Sequence, residues 1–295
     1  MRLGVYVNAQ HPAGDDPGRR FAEMVEQVRL IRTLGFDSIW GGEHHATPGY
    51  HYFPLLPLLQ RLAAEADGLW VGTNLILLPL HNPVEVAEIG AFLDVITGGR
   101  FLLGVGLGYR PEEFAIFGVP MAERVSRLGE GIEIIRRLWT EDEVTYQGRH
   151  WRLDGVTIRP RPLQQPRPPI LVGSQVPAGI ARAARIADGW LVVPVPTVHE
   201  FAAQAAAFAS ARAAAGLPPS RHVGRLIEVV CAAMIAPVSS KLDSLSVIAA
   251  RITASCHSNG MARWRLQSSQ YSWVRSKNSR PTSGTARSRV SSGPR

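Results

Sequence analysis

Short runs of consecutive apolar residues alternate along the chain with longer stretches of helical period. Residues 3–7 (LGVYV) read as a buried strand, and a polar loop with His11, Pro12 and Gly14 follows. From Arg19 to Leu34, Phe21, Met24, Val25, Val28 and Ile31 fall on one helical face, and Gly35 stops the helix. Ser38–Trp40 is a second strand, running through two glycines into Glu43, His44 and His45. An aromatic, Pro-rich loop reaches about Pro57, a helix spans Leu58–Ala66, and residues 69–79 form a third strand. His81–Asn82–Pro83 starts a helix with Val84, Ala87, Phe92 and Leu93 on one face, ended by Gly98–Gly99. Residues 100–108 (RFLLGVGLG) supply a fourth strand, then come a loop at 109–120 and a helix from Met121 to Trp139.

Residues 144–169 are aromatic, basic and Pro-rich, too irregular for a barrel unit, and read as an excursion with a small hairpin over the mouth or the surface. The alternation resumes with strands at 169–175, 189–194 and 225–235, separated by a helix at Pro177–Ala187 and an Ala-rich helix ending near Ala215. Strand and helix in this rhythm imply parallel strands with right-handed crossovers. The fold class is α/β, a TIM-type (β/α)8 barrel. Such a barrel needs eight strands, and the eighth does not come.

From Val238 the composition turns to Ser, Arg and Thr, with fifteen Ser in 58 positions. A solvated Ser/Arg-rich tail is one reading. Trp264, Tyr271 and Trp273 are unusual there, and the expectation is that the reading frame changes near Pro237–Val238. The chain then divides into an incomplete barrel domain at 1–237, lacking its last β/α unit, and a non-family tail at 238–295. The first and seventh strands are left with unpaired inner edges.

Composition narrows the function classes. The net charge is +8, but residues 238–295 hold ten Lys and Arg against one acid, Asp243, so 1–237 carries 32 − 10 = 22 basic and 24 − 1 = 23 acidic groups. The basicity belongs to the tail, which has no regular interleaving of aromatics, and nucleic acid is not expected as a partner. No run of 18 apolar residues predicts a membrane span, and MRLGVYVNAQHP lacks the apolar core of a signal peptide. Cys231 and Cys256 make neither a disulfide framework nor a metal cluster, so a cytoplasmic protein is expected.

Chemistry in parallel α/β proteins collects at the carboxyl ends of strands, where Glu43, His44 and His45 lie. Imidazole suits proton transfer near neutral pH, although adjacent histidines in a loop also occur simply as solvated groups. Glu-His-His lacks the i, i+4 spacing of a helical zinc pair, and no metal is expected. GVGLG (104–108) is not the dinucleotide fingerprint; its glycines admit a flat ring, or form a tight corner. Gly173, Ser174 and Gln175 precede a helix opening at Pro177, with N–H groups of Ala178, Gly179 and Ile180 offered to an anion or simply capped. Asn74 faces the mouth or is a satisfied core amide. His81 and Asn82 fit a substrate contact or a helix start.

These segments together resemble the bacterial luciferase-like family of flavin- or deazaflavin-dependent oxidoreductases. The resemblance lies in VYVNAQHP, IWGGEHH, the run from GTNLILLPLHNP to GVGLGYRPEEFAIFG, and ILVGSQ with AARIADGWLVVP, over about residues 1–236. It implies a cofactor ring at the barrel mouth and His44 as the residue assisting its chemistry, oriented by Glu43 or His45. By the same resemblance Asn74–Leu75 is a non-prolyl cis peptide behind the ring, and Gly106, Leu107 and Gly108 line its edge. Gly173, Ser174, Gln175 and Gly179 then hold the phosphate, and Tyr109 and Arg110 face the substrate. A reduced-FMN-dependent monooxygenase is expected, acting on a small organic substrate with O2, served by a flavin reductase and dimeric like many members. Coenzyme F420 is the alternative cofactor for a dehydrogenase or reductase, and a truncated, non-catalytic flavin-binding relic is a further reading. Some deazaflavin members carry an acid just after the glycine loop; here Tyr109–Arg110 precede Glu112, a departure that disfavours F420.

Overall fold

In the computed structural model, which describes residues 2–192 and 197–227, seven strands pair into one parallel sheet. In chain order the elements are β1 (Gly4–Tyr6), β2 (Gln10–Pro12), α1 (Pro17–Thr33), β3 (Ser38–Gly41), β4 (Tyr50–Tyr52), α2 (Leu55–Ala63), β5 (Trp70–Thr73) and α3 (Pro83–Ile96). They continue with β6 (Phe101–Val105), α4 (Pro111–Ile116), α5 (Arg124–Thr140), β7 (Val144–Gln147), β8 (Arg152–Val156) and β9 (Ile170–Gly173). The last are α6 (Pro177–Ile186), β10 (Gly189–Val192), α7 (Val198–Ala214) and β11 (His222–Arg225). The sheet order is β1-β3-β5-β6-β9-β10-β11. Each strand therefore lies beside the next parallel strand in sequence, the winding of a barrel and not of a doubly wound sheet.

Alternation along the strands separates two cores. In β6, Phe101, Leu103 and Val105 join the outer cluster that packs against the helices, while Leu102 turns inward. The inner cluster is Leu102, Leu171 and Leu191 with Trp40, Trp70 and Leu75 against it, and it contains no helical residue. The helices that enter the outer cluster cover one face of the sheet, α4 lies apart with Phe114 in a small cluster with Leu77 and Leu80, and the other face is filled mainly by strand side chains. Burial on both faces is why β6 reads as an unbroken apolar run.

Several elements differ from the sequence expectation. The third strand ends at Thr73 and not at 79: after the cis Asn74–Leu75 peptide only Ile76 still bridges to Val105, and a 3-10 turn follows at Leu78–Leu80. The Thr73 hydroxyl donates to the Gly104 carbonyl and accepts from the Gly104 N–H, both at 2.7 Å, tying β5 to β6 at that departure. α2 begins at Leu55, with Pro57 in its first turn where a missing N–H costs nothing. Phe92 is exposed, since the buried face of α3 runs through Pro83, Val86, Ala87, Gly90, Ala91 and Asp94 at helical spacing. The expected 109–120 loop contains α4, and β4 pairs antiparallel with β2 inside the expected aromatic loop.

The seventh strand lies at His222–Arg225, upstream of the expected 225–235, because its register on β10 begins at Gly189↔His222. The remainder of that run, the missing eighth unit, the change at Pro237–Val238 and the 238–295 tail lie outside the described residues. No helix among the described residues is long and apolar enough to cross a membrane.

The 144–169 excursion does contain the hairpin β7–β8. Its return leg is fixed by the buried Asp94 carboxylate, which accepts from the N–H groups of Leu163 (2.7 Å) and Gln164 (2.8 Å), the Gln164 amide (2.6 Å) and Phe101 N–H (3.3 Å). Phe101 opens β6, so this leg sits at the opposite end of the sheet from the Glu43–His45 loop and does not shape its mouth.

Candidate active site

β3 ends at Gly41, and the next four residues carry Glu43, His44 and His45 out at the carboxyl end of the sheet. The turn is tight. A Cβ at Gly42 would collide with the Tyr6 hydroxyl and come within 2.8 Å of the Asn74 carbonyl. Burial pushes the Tyr6 hydroxyl up, against hydrogen bonds to Tyr52 and the Gly42 backbone. Burial and the neighbouring Tyr6 likewise push Tyr52 up, so both phenols stay protonated under this loop.

His44 is held by a carboxylate from α4. Its Nδ1 lies 3.0 Å from Glu113 Oε1, the oxygen that also accepts the His45 backbone N–H at 2.8 Å. The Arg110 guanidinium reaches the same oxygen at 3.3 Å. Glu113 is fully buried. The residue orienting His44 is therefore Glu113, not Glu43 or His45, because the chain turns after His44 and sends its neighbours' side chains elsewhere. With the proton on Nδ1 directed at the carboxylate, Nε2 carries a lone pair. It faces the Tyr109 hydroxyl at 3.5 Å, and the Tyr52 and Tyr109 rings meet His44 edge-on at 5.6 Å. Tyr109 is 70% exposed, so this side of the imidazole opens to the mouth.

Glu43 belongs to a second group. Its Oε2 accepts the Leu77 N–H at 2.7 Å, and His81 Nε2 stands 2.9 Å from both carboxylate oxygens. His45 Nε2 is 3.3 Å from Oε1, an ion-pair distance without hydrogen-bond alignment. Burial alone would push Glu43 up, but the adjacent His45 and His81 imidazoles and the Leu77 N–H outweigh it and hold the carboxyl at about 2. Burial pulls His45 down, and the Glu43 charge more than reverses that, leaving it raised. Phe117 meets the His45 ring edge-on at 4.6 Å.

Two of the other predicted glycines meet the Leu75 side chain. The Asn74–Leu75 bond is cis. A Cβ at Gly106 would come within 2.8 Å of Leu75 Cδ1, and one at Gly173 would collide with the same side chain. Gly108 has φ +75° and packs against Phe114, while Leu107 packs on the outer core. The Asn74 Oδ1 is buried and has no hydrogen-bond partner among the described residues. Ser174, Gln175 and Gly179 gather at the start of α6, where the Ser174 hydroxyl takes the space a Gly179 side chain would fill. The expected free donors there are corrected: Gly179 and Ile180 N–H both close on the Val176 carbonyl at 2.9 Å. Arg110, placed by the sequence toward substrate, is engaged with Glu113 and the His45 carbonyl.

Two residues carry more than their sequence signal. Glu113 sits in PEEF, where an acid at a helix start satisfies the helix dipole whether or not it does anything else. The exposed neighbour Glu112 is not the acid at His44; burial and contact single out Glu113. His81 points into the Glu43 group, while Asn82 caps α3 by accepting the Val84 N–H at 2.9 Å.

A family model described as luciferase-like monooxygenase matches residues 1–283. The chain is 32% identical over 212 residues to the 4-hydroxyprotoasukamycin monooxygenase of Streptomyces nodosus subsp. asukaensis, covering 69% of this chain and 57% of that protein. It is 35% identical over 176 residues to an F420-dependent glucose-6-phosphate dehydrogenase of Microbacterium testaceum, covering 57% of this chain and 52% of that one. Among solved structures, the monooxygenase RslO1 of Streptomyces bottropensis superposes with a TM-score of 0.70 at 31% identity, over 76% of this chain and 70% of that one. The chain spans about half the length of the curated relatives it matches.

Proposed function

Because the chain belongs to the luciferase-like monooxygenase family, we propose that it is a reduced-FMN-dependent monooxygenase acting on a small organic substrate. The observation that carries this reading is His44, fixed on Nδ1 by the buried Glu113 and open on Nε2 toward the mouth. A single basic nitrogen in a set orientation is what proton handling beside a cofactor ring requires. The likeness over two thirds of the chain to a protein named as a monooxygenase adds to it.

The residues fit a flat ring. The missing side chains of Gly106 and Gly173 admit the Leu75 side chain that would back the ring, and the orphaned Asn74 Oδ1 is an acceptor for a ring N–H, which flavin and deazaflavin both carry. Asn74–Leu75 would back the ring, with Gly106, Leu107 and Gly108 at its edge. Gly173, Ser174 and Gln175 would hold the phosphate, with Gly179 only making space for the Ser174 hydroxyl. The chemistry a bound reduced flavin supplies is electron delivery to O2, and a flavin reductase would provide the reduced form. The chain's own work is to orient the ring, to keep Tyr6 and Tyr52 protonated beneath the loop, and to move a proton at His44 Nε2. Tyr109 covers the side from which a substrate enters.

One observation favours a second reading, an F420-dependent dehydrogenase. An acid does follow the glycine loop and touches His44, though it is Glu113 and not Glu112. The sequence argument against F420 is thereby weakened, and several relatives are named for that cofactor.

Anaerobic titration of the protein with reduced FMN and with F420, followed by fluorescence, separates the two. Binding of F420 alone refutes the monooxygenase reading. His44→Ala is expected to lower turnover by about 10²–10⁴ while cofactor affinity stays within several-fold; unchanged turnover removes His44 from the mechanism.

A further inference from the structure

We propose that Glu43, His45 and His81 form a binding site for a divalent transition-metal ion, of the class of Zn2+ or Co2+. Nothing in the flavin reading uses this group, and the proposal does not depend on it. One Glu43 oxygen is fixed by the Leu77 N–H, which leaves Oε1 turned toward two imidazole Nε2 atoms at 2.9 Å and 3.3 Å. All three ligand atoms lie within 4.8 Å of one another. With metal–ligand bonds of about 2.0–2.2 Å, donors at facial or tetrahedral angles stand roughly 2.9–3.5 Å apart, so these two separations are those of ligands to one ion.

The independent observation is His45 Nε2. It is buried, near a carboxylate, and still makes no hydrogen bond. A buried imidazole nitrogen without a hydrogen bond costs free energy unless a partner engages it. A metal does so without requiring the nitrogen to point at the carboxylate. Two imidazoles and one carboxylate are a donor set for Zn2+ and for related divalent ions, and three protein ligands leave further positions for water. The Leu77 N–H on Glu43 is the kind of outer hydrogen bond that orients a ligating carboxylate. Phe117 shields the His45 ring on one side. The site adjoins His44 through Glu113, which accepts from the His44 ring and the His45 backbone at once.

The test uses the full chain, stripped with a chelator and titrated with Co2+ while visible absorption is recorded, then displaced with Zn2+. One equivalent of Co2+ with the band intensity of a low-symmetry nitrogen and oxygen site is expected. His45→Ala and His81→Ala should each weaken binding more than about tenfold, and His51→Ala should not. Failure of the folded protein to bind either ion overturns the proposal, as does binding unchanged in both variants. X-ray absorption of the zinc-loaded parent protein decides the matter if the variants do not fold. Two imidazoles bound to zinc support the site; sulfur bound to zinc places the ion on cysteine and overturns it.

Discussion

Glu113→Ala removes the acceptor of three hydrogen bonds from a fully buried position, and its cost can be worked from what each donor then meets. The His45 backbone N–H, 2.8 Å from the carboxylate, loses its partner in a buried setting, which costs about 1–3 kcal/mol. The His44 ring N–H and the Arg110 guanidinium are partly exposed and recover water, so about 0.5–1 kcal/mol each is reasonable. Removing a buried charge returns part of its desolvation cost. The balance is a loss of about 2–4 kcal/mol, a large share of the 5–15 kcal/mol typical of a domain.

Glu113→Gln keeps the shape and one acceptor oxygen, and should cost only about 1 kcal/mol. Urea unfolding of both variants beside the parent, with the slope checked for constancy, reads these differences. Glu113→Ala should also lose turnover by about tenfold or more, because His44 is no longer held to one tautomer, whereas Glu113→Gln, which keeps the acceptor oxygen, should lose less. Glu113→Ala within about 0.5 kcal/mol of the parent, or Gln as costly as Ala, would refute the assignment of Glu113 as the residue that positions His44.

Asp94→Ala is expected to destabilise the protein by about 3–5 kcal/mol, since three backbone N–H groups lose a buried carboxylate. Faster amide exchange at Leu163 and Gln164, with cofactor and Co2+ binding unchanged, is the signature; altered Co2+ binding would contradict the separation of the two ends of the sheet. Burial pushes Asp188 up, but the Arg167 guanidinium at 2.7 Å and the Ile170 N–H hold its carboxyl below the ordinary range. Its folded value is therefore below its unfolded value of about 3.9, so its contribution is complete above that pH and is lost as pH falls through the folded value. Asp188→Asn should flatten the loss of stability below about pH 4 in denaturant melts; an unchanged acid limb would show that the Arg167 pair contributes nothing there.

The order of strands and helices, the parallel winding and the place of Glu43, His44 and His45 at a strand's carboxyl end are legible along the chain. These are local: a strand buried on both faces must be continuously apolar, and a helix on one face must repeat at three and four residues. The resemblance added the cis Asn74–Leu75 peptide, which the structure contains. Which carboxylate serves which histidine is set by long-range packing. Glu113 reaches His44 from 69 residues away, and His81 reaches Glu43 from 38, and nothing in the spacing of EHH or PEEF encodes either encounter. Side-chain partners across a barrel mouth are set by how neighbouring strand ends and helix starts converge, a three-dimensional property that one-dimensional periodicity does not carry.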